Sequence, residues 1–530
     1  MKKIVFNDEA RNHLREGIDI VANAVKVTLG PSGRNVTISE AHGGDPIVTK
    51  DGVTVAESIV IEKADTNVGV EMIKKVARKT VEDAGDGTTT ATVLAQAIIN
   101  RGLDLVDSGS NPMDLKRGMD KAVAEVVKKI KLIAKKIDGD AEKIRNVATI
   151  SANNDSEIGD LIATAFEKIG EGGVIDIEDS VTADTTIRVV EGAQIDKGYL
   201  SKFFVTDSEK MEAVLEDAYV IVTDYDITLS KEIIPILEKA IPSGKPIFLV
   251  CGDLTQEGLS FITMNKLQGG LKICAIKPPA AYRSETLADI ATLTGATVIS
   301  DSIGIKIENA DLKHLGKCGK IISTETTTTF IDGKGTQASL EVRKTEIKAL
   351  IAGAKIQFDI ERLKKRLARI SGGVAIMSVG ASTDVEMNEK KDRVDDAVRA
   401  TRSAIEEGIV IGGGTCLLSC QASIADGVYL NKDEIIGSQI IYEVMEVPLA
   451  QILDNCGAAE KARTIIDQIK SGQAIGYNAK SMAFEDLFAS GVIDPAKVVR
   501  VALENACSVA GMVITSECLI IEQHKKAHGI

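Results

Sequence analysis

The stretch Gly85-Asp86-Gly87-Thr88-Thr89-Thr90-Ala91-Thr92 runs directly into the apolar segment Val93-Leu94-Ala95-Gln96-Ala97-Ile98-Ile99. Two glycines let the backbone turn tightly and approach a ligand, and the helix that follows begins with unpaired N–H groups and a positive dipole end. Such a start suits phosphate. Asp86 adds a hard oxygen of the kind Mg2+ takes alongside phosphate oxygens, and three consecutive hydroxyls add donors. The competing reading is that Asp86 or Thr88 caps a core helix. Both stand at this point, because no Lys follows the glycines and the Walker A pattern is absent.

Other chemistry-bearing residues form weaker patterns. Eight cysteines are scattered without a Cys-x-x-Cys pair, which points to reduced thiols in a reducing compartment. Cys416 and Cys420 are four apart and share a helix face, where small buried hydrophobes are the expectation. His524 and His528 have a metal-like spacing, but no Cys or carboxylate completes the set and a solvated tail is the simpler reading. No Ser-His-Asp or Cys-His arrangement stands out.

The elements that position these residues belong to a chain of 530 residues, too long for one ordinary core, so two or three domains are expected. With 44% hydrophobic and 26% charged residues it reads as soluble and globular. There is no run of eighteen apolar residues, and Met1-Lys2-Lys3-Ile4-Val5-Phe6-Asn7-Asp8 turns acidic too early for a signal peptide, so a cytoplasmic location away from membranes is expected. A net charge of −14 and the absence of Trp argue against a nucleic-acid groove.

Leu14, Ile18, Val21 and Val25 recur at helical spacing up to the terminator Thr28-Leu29-Gly30-Pro31, after which Asn35 to Ser39 reads as a strand. Lys50 and Asp51 sit beside a glycine at a turn. Leu115, Met119, Val123, Val126, Ile130 and Ile133 mark a helix entered through Asn111-Pro112, and the first 135 residues are mostly helical. After Ile150-Ser151-Ala152-Asn153 the texture changes. Strands are expected at 174–178, 186–191, 218–222, 246–250 and 273–276, with helices at 231–241, 255–268 and 284–294, an α/β rhythm. Thr324 to Thr329 is β-branched and reads as an edge strand. One long charged helix is expected over 338–370, ended by Gly372-Gly373, and the chain is helical again from Glu434. The helices at 231–241 and 255–268 carry apolar residues on more than one face: Ile233 and Leu237 against Ile234, and Leu259 with Ile262 against Phe261 with Met264. Burial on both sides and an exposed groove for other chains both fit that pattern.

From end to end the chain resembles a group I chaperonin, the bacterial GroEL family. The resemblance is carried by Thr28-Leu29-Gly30-Pro31, Lys50-Asp51-Gly52, Gly85 to Thr90, Asn111 to Gly118, Gly412-Gly413-Gly414, Tyr477-Asn478-Ala479 and Asp494-Pro495. It implies an α/β multidomain chaperonin fold: a mainly helical equatorial ATPase domain (1–135 and 407–530), a hinged intermediate domain (136–190 and 375–406) and an α/β apical domain that binds substrate and lid (191–374). The implied function is an ATP-dependent molecular chaperone, an ATP hydrolase that captures non-native polypeptides and encloses them in a ring cavity. A nucleotide-binding scaffold without folding activity is the alternative.

Carried over residue by residue, the resemblance gives ATP contacts to Thr28, Leu29, Gly30, Pro31, Lys50, Asp86, Gly87, Thr88, Thr89, Thr90, Gly413, Asn478, Ala479 and Asp494. Asp86 would bind Mg2+, K+ is admitted as a further cation, and Asp51 and Asp396 would be catalytic, with Asp396 positioning the attacking water. Without the resemblance Asp396 reads as a helix-surface charge. Tyr199, Phe203, Phe204, Ile234, Leu237, Leu259, Thr263 and Met264 would bind polypeptide and a GroES-like lid. The implied assembly is a sevenfold homo-oligomeric ring, single or double. Ala450 and Ala459 stand where double-ring members place charged contacts, so a weak ring-to-ring interface is expected. The chain departs from the family at Ala280-Ala281-Tyr282-Arg283-Ser284-Glu285, which replaces a Gly-Phe-Gly-Asp-Arg-Arg turn, and it has no Gly- and Met-rich tail.

Overall fold

The computed structural model describes residues 2–39, 46–137, 139–170, 173–180, 182–190, 192–208, 210–279, 282–354, 356–371 and 373–522. His524 and His528, Ala280 and Ala281 of the divergent loop, and Gly372 lie outside the described residues. The chain forms two compact units. One comprises residues 1–164, 179–184 and 379–530, and the other comprises residues 165–178 and 185–378. The segments that the resemblance assigns to a hinged middle domain are shared between these units.

The first unit is helical. Helices Asn7–Val25, Ala64–Ala84, Thr88–Asp107, Pro112–Ile133, Lys432–Val444 and Ala496–Ile514 pack on one another. Leu14, Ile18, Val21 and Val25 on the first, and Leu115, Met119, Val123, Val126 and Ile130 on the fourth, are buried in one core, with Ile133 half-buried beside them. Helix Pro112–Ile133 starts where Asn111 Oδ1 accepts from the Met113 and Asp114 amides at 2.9 and 3.3 Å, with Pro112 at the first helical position. Its crossing with Lys432–Val444 is set by two glycines. A Cβ on Gly118 would lie 2.0 Å from the Glu434 carbonyl oxygen, and one on Gly437 would lie 2.2 Å from that of Leu115. Backbone meets backbone there, and no side chain fits.

The second unit is built on a six-stranded sheet in the order Ile273–Ile276, Ile247–Val250, Ala213–Val222, Gly316–Ser323, Thr328–Gly333, Gly192–Ile195. The first three strands are parallel and the rest antiparallel. Helices Ser230–Ala240, Gln256–Gly269 and Arg283–Thr294 connect or flank the strands, close to the expected spans. Two expectations are corrected. Thr324 to Thr327 form a turn, because Thr324 Oγ1 accepts from the amides of Thr326 and Thr327 at 3.2 and 3.0 Å; the strands it joins lie inside the sheet, not at its edge. The single helix over 338–370 is two, Gln337–Gly353 and Gln357–Ser371, since Ala354 is extended (φ −74°, ψ 136°) and ends the first.

Gly118→Ala should lower the thermal midpoint of the first unit, because overpacking of this kind costs about 1–3 kcal/mol or more when backbone has to move. Gly353→Ala, whose Cβ would meet open space, is the control. Equal midpoints for the two variants would show that the helix pair parts without cost.

Candidate nucleotide site

Helix Ala64–Ala84 ends at Gly85 with φ +78°, and Gly87, with φ +88°, precedes helix Thr88–Asp107. Both positions are left-handed and crowded: an added Cβ would lie 2.4 Å from Arg399 Cβ and 2.6 Å from Val498 Cγ1 respectively. Gly87 occupies the cap position and offers no side-chain acceptor to the first amides of the helix. Those amides belong to a turn that lines a cavity of about 450 Å3 within the first unit. The capping alternative of the sequence reading is therefore not the arrangement adopted: the helix starts without a side-chain cap, at a turn that lines the cavity.

Two further loops close on this start. Thr28 Oγ1 donates to the Val25 carbonyl at 2.9 Å and lies 3.3 Å from Thr89 Oγ1. The Asn455 amide clamps the same loop by donating to the carbonyls of Lys26 and Leu29 at 2.9 and 2.8 Å. Asp51 caps helix Gly52–Ser58, accepting from the Val53 and Thr54 amides at 3.2 and 2.8 Å and from Thr54 Oγ1 at 2.6 Å. A Cβ on Gly52 would stand 2.5 Å from Thr89 Oγ1, so the missing side chain lets the Asp51 loop lie against the Thr88–Thr90 turn.

The opposite wall comes from the end of the chain. Strand Ile409–Ile411 pairs antiparallel with Ile493–Pro495, setting Val410 opposite Asp494, and Gly412 to Gly414 follow. Tyr477 and Phe484 meet edge to face at 5.2 Å in the hairpin that carries Asn478 and Ala479. All sixteen positions expected on the nucleotide side, from Thr28 to Asp494 and including Asp51 and Asp396, line this one cavity.

Sequence reasoning missed other lining groups. Glu389, Asp392 and Arg393 share a face of helix Asp384–Glu407 with the expected Asp396, a spacing of three, four and seven that the sequence does contain. Arg393 pairs with Asp155 at 3.0 Å and Glu389 at 2.7 Å. Asn146, Thr149, Ser151, Asn153 and Asn154, from the end of helix Ala141–Ser151 and the turn after it, also line the cavity. They registered only as a change of texture.

The carboxylates are held away from their ordinary state. Burial pushes the Asp86 carboxyl up, and Asp51 adds repulsion, against the Gly87 amide and the Ser151 hydroxyl that favour its charged form. Asp396 is pushed well up by burial and by Asp86 and Asp51. Asp494 rises to about 7 through burial and Asp86, and Asp392 to about 6 through burial and Asp51. Burial and a neighbouring like charge both favour the neutral carboxyl.

In the second unit the expected polypeptide-contact residues divide. Phe203 and Met264 are 62% and 50% exposed, and Ile234 and Leu259 are half-buried. Tyr199, Phe204, Leu237 and Thr263 are buried, Leu237 to 3% exposure, and the first three belong to the sheet-packing core of the unit. Leu267, 62% exposed one turn beyond Met264, was missed. In the divergent loop, Tyr282 stacks on the Arg362 guanidinium at 4.1 Å and Arg283 pairs with Asp226 at 3.1 Å.

The Asp494 shift fixes the sign of a pH effect. Its folded value, about 7, lies above the ordinary 3.8, so the folded state carries a penalty that is full above pH 7 and is relieved as pH falls toward 4. Asp494→Asn should therefore stabilise the nucleotide-free protein at pH 8 by about 1–4 kcal/mol, with the gain gone near pH 4. Urea midpoints at the two pH values read this. Equal effects at both would remove the charge penalty as the cause.

A family model described as the TCP-1/cpn60 chaperonin family matches residues 21–524. The fold is also that of the chaperonin gp146 from the bacteriophage EL 2 (Pseudomonas aeruginosa), crystallised in the presence of ATP-BeFx. Two crystal forms of it superpose with TM-scores of 0.74 and 0.67 at 22% identity, over 98% of this chain and 99% of that one. With the match running through both units and nearly the whole chain, this protein belongs to the TCP-1/cpn60 chaperonin family.

Proposed function

We propose that this chaperonin binds and hydrolyses ATP in the cavity of its first unit and uses the cycle to assist the folding of other polypeptides. The observation that carries the reading is the uncapped start of helix Thr88–Asp107 facing Asp51, Asp86 and Asp396 in one cavity. The presence of ATP-BeFx with the phage relative supports it. The Thr88 to Thr90 amides and hydroxyls, with the Thr28–Pro31 loop and Lys50, hold the phosphates. Gly413, Asn478, Ala479 and Asp494 hold the base and ribose.

The residues fit Mg2+. The ion takes one or two carboxylates and completes its shell with phosphate oxygens and water; Asp86 offers the carboxylate, and no closed cage of three or more ligating side chains exists among the described residues. When bound, the ion neutralises charge between the carboxylates and the phosphates. Asp396 orients the attacking water, and Asp51, fixed by its three donors, holds the geometry beside it.

Polypeptide capture belongs to the second unit. The exposed apolar residues Phe203, Met264 and Leu267, with the half-buried Ile234 and Leu259, offer the desolvation that non-native chains reward. A lid, a sevenfold ring and the three-part division with its hinged middle segments complete the reading.

Two measurements test it. Asp396→Ala should bind ATP nearly as the parent does and hydrolyse it about 100-fold more slowly, whereas Asp86→Ala should also weaken Mg2+-dependent nucleotide binding; a full-speed Asp396→Ala enzyme would take that residue out of the chemistry. Met264→Ser or Phe203→Ser should weaken capture of an unfolded protein at unchanged ATPase and unchanged melting. Leu237→Ser should instead destabilise the second unit by about 2–5 kcal/mol. Capture unaffected by both surface changes would sink the surface assigned here.

A further inference from the structure

Most carboxylates of helix Asp384–Glu407 are occupied. Glu389, Asp395, Glu406 and Glu407 each pair with a lysine or arginine, and Glu386 accepts from the Ser382 amide at 3.2 Å. Among the described residues Asp392 and Asp396 have neither a hydrogen bond nor an ion pair, and both line the cavity of the first unit. The proposed hydrolysis gives Asp396 a role and Asp392 none.

The two acids stand one turn apart on the same helix face, which holds their Cβ atoms about 5–6 Å from each other. Two O–H···O bonds of about 2.7–2.8 Å that meet at one water span about 4–5.5 Å. One water can therefore donate to both carboxylates, and with both protons engaged its lone pairs are free to face a phosphate in the cavity. Access separates the two acids: Asp392 is exposed and Asp396 half-buried. A proton handed to Asp392 has a way out to solvent.

The charged groups that line the cavity with Asp392 are Lys50, Asp51, Asp86, Lys480 and Asp494 from other segments, and Glu389, Arg393 and Asp396 from its own helix. Helices Ala141–Ser151 and Ala496–Ile514, which pack on that helix, present only uncharged residues there. Surrounding protein and the charges of Asp51, Asp395 and Glu389 hold the Asp392 carboxyl up at about 6, against Lys391. That value suits a group that takes a proton during turnover and releases it near neutral pH.

We propose, resting on the ATP hydrolysis put forward above, that Asp392 is the second acceptor for the attacking water, shared with Asp396, and the group that carries the released proton to solvent. The water oxygen bonds to the γ-phosphorus. The bond from that phosphorus to the β,γ-bridging oxygen breaks, its electron pair leaving on ADP, while one water proton passes to the Asp392 carboxylate and on to solvent. ATP and water thus become ADP, inorganic phosphate and a proton.

Single-turnover hydrolysis followed against pH, with ATP binding and melting measured alongside, tests this on the full chain. Asp392→Asn should melt with the parent, bind ATP within about twofold of it, and hydrolyse it about 100-fold more slowly. A protonated Asp392 takes no further proton, so the parent's rate falls as pH drops through its titration, and the variant's acid limb should be shallower. Asp392→Glu, which keeps a carboxylate, should recover much of the rate and the parent's acid limb. An Asp392→Asn enzyme with the parent's rate and pH profile, or an Asp392→Glu enzyme no faster than Asp392→Asn, overturns the proposal and leaves ATP hydrolysis standing. A parent that binds ATP without hydrolysing it overturns both.

Discussion

A helix that begins without a side-chain cap is the constraint on which the cavity of the first unit depends. The first amides of Thr88–Asp107 have no acceptor from Gly87, and such groups ordinarily recruit a side chain, water or a fraying turn. Fraying is closed off here. Ala91, Leu94, Ala95, Ile98, Ile99 and Leu103 bury the body of the helix in the core of the unit, and the crowded left-handed glycines at 85 and 87 fix the chain entering it. The stability of the helix comes from its packed face and not from its end. The end opens on the cavity.

The same economy governs the carboxylates, which divide into one that is satisfied and several that are not. Asp51 receives two amides and a hydroxyl and so has a fixed direction. Asp86, Asp396 and Asp494 are each pressed toward the neutral form by burial and by a neighbouring carboxylate, Asp51 for Asp86 and Asp86 for the other two. An acid held this way is a poor structural element, since it costs the folded state free energy above its titration point. It is a good element for a site that receives a cation together with polyphosphate, because the arriving charge removes the repulsion. The repulsion is local to one cavity.

The local parts of this arrangement were legible in the sequence, because they depend on short-range chemistry. Gly85 to Thr92 announced a tight turn into an apolar helix, and Asn111-Pro112 announced a helix start; both are written in consecutive residues. The convergence of Thr28, Asp51 and Asp86 with Asp396 and Asp494 was not, since the last two stand hundreds of positions from the first three and only the family resemblance brought them together. Asp392 and Arg393 were within reach by their helical spacing to Asp396, but charged residues on a helix face ordinarily mean solvent. Thr324 to Thr327 went wrong for a related reason. β-branched residues favour strands, but the hydroxyl of Thr324 can also take two backbone amides and close a turn, and that local bond won.

Periodicity fails in a different way in the second unit. Helix Ser230–Ala240 buries Ile233, Ile236, Leu237 and Ala240, a three-four-seven stripe that satisfies the sheet and leaves Ile234 at its margin. Read from the sequence, Leu237 fits either stripe, because two stripes a quarter turn apart share a border. Helix Gln256–Gly269 resolves more sharply: Gly258, Ile262 and Thr263 face inward, and Met264 and Leu267, one turn apart, face out beside Phe203. The outward stripe is thus one position further round than the Phe261–Met264 pairing suggested. Burial of Thr263 follows from the same rotation, since it stands one residue from Ile262 on the inward side. An apolar pattern fixes how many faces a helix needs covered, and only the packed sheet decides which residues the cover takes.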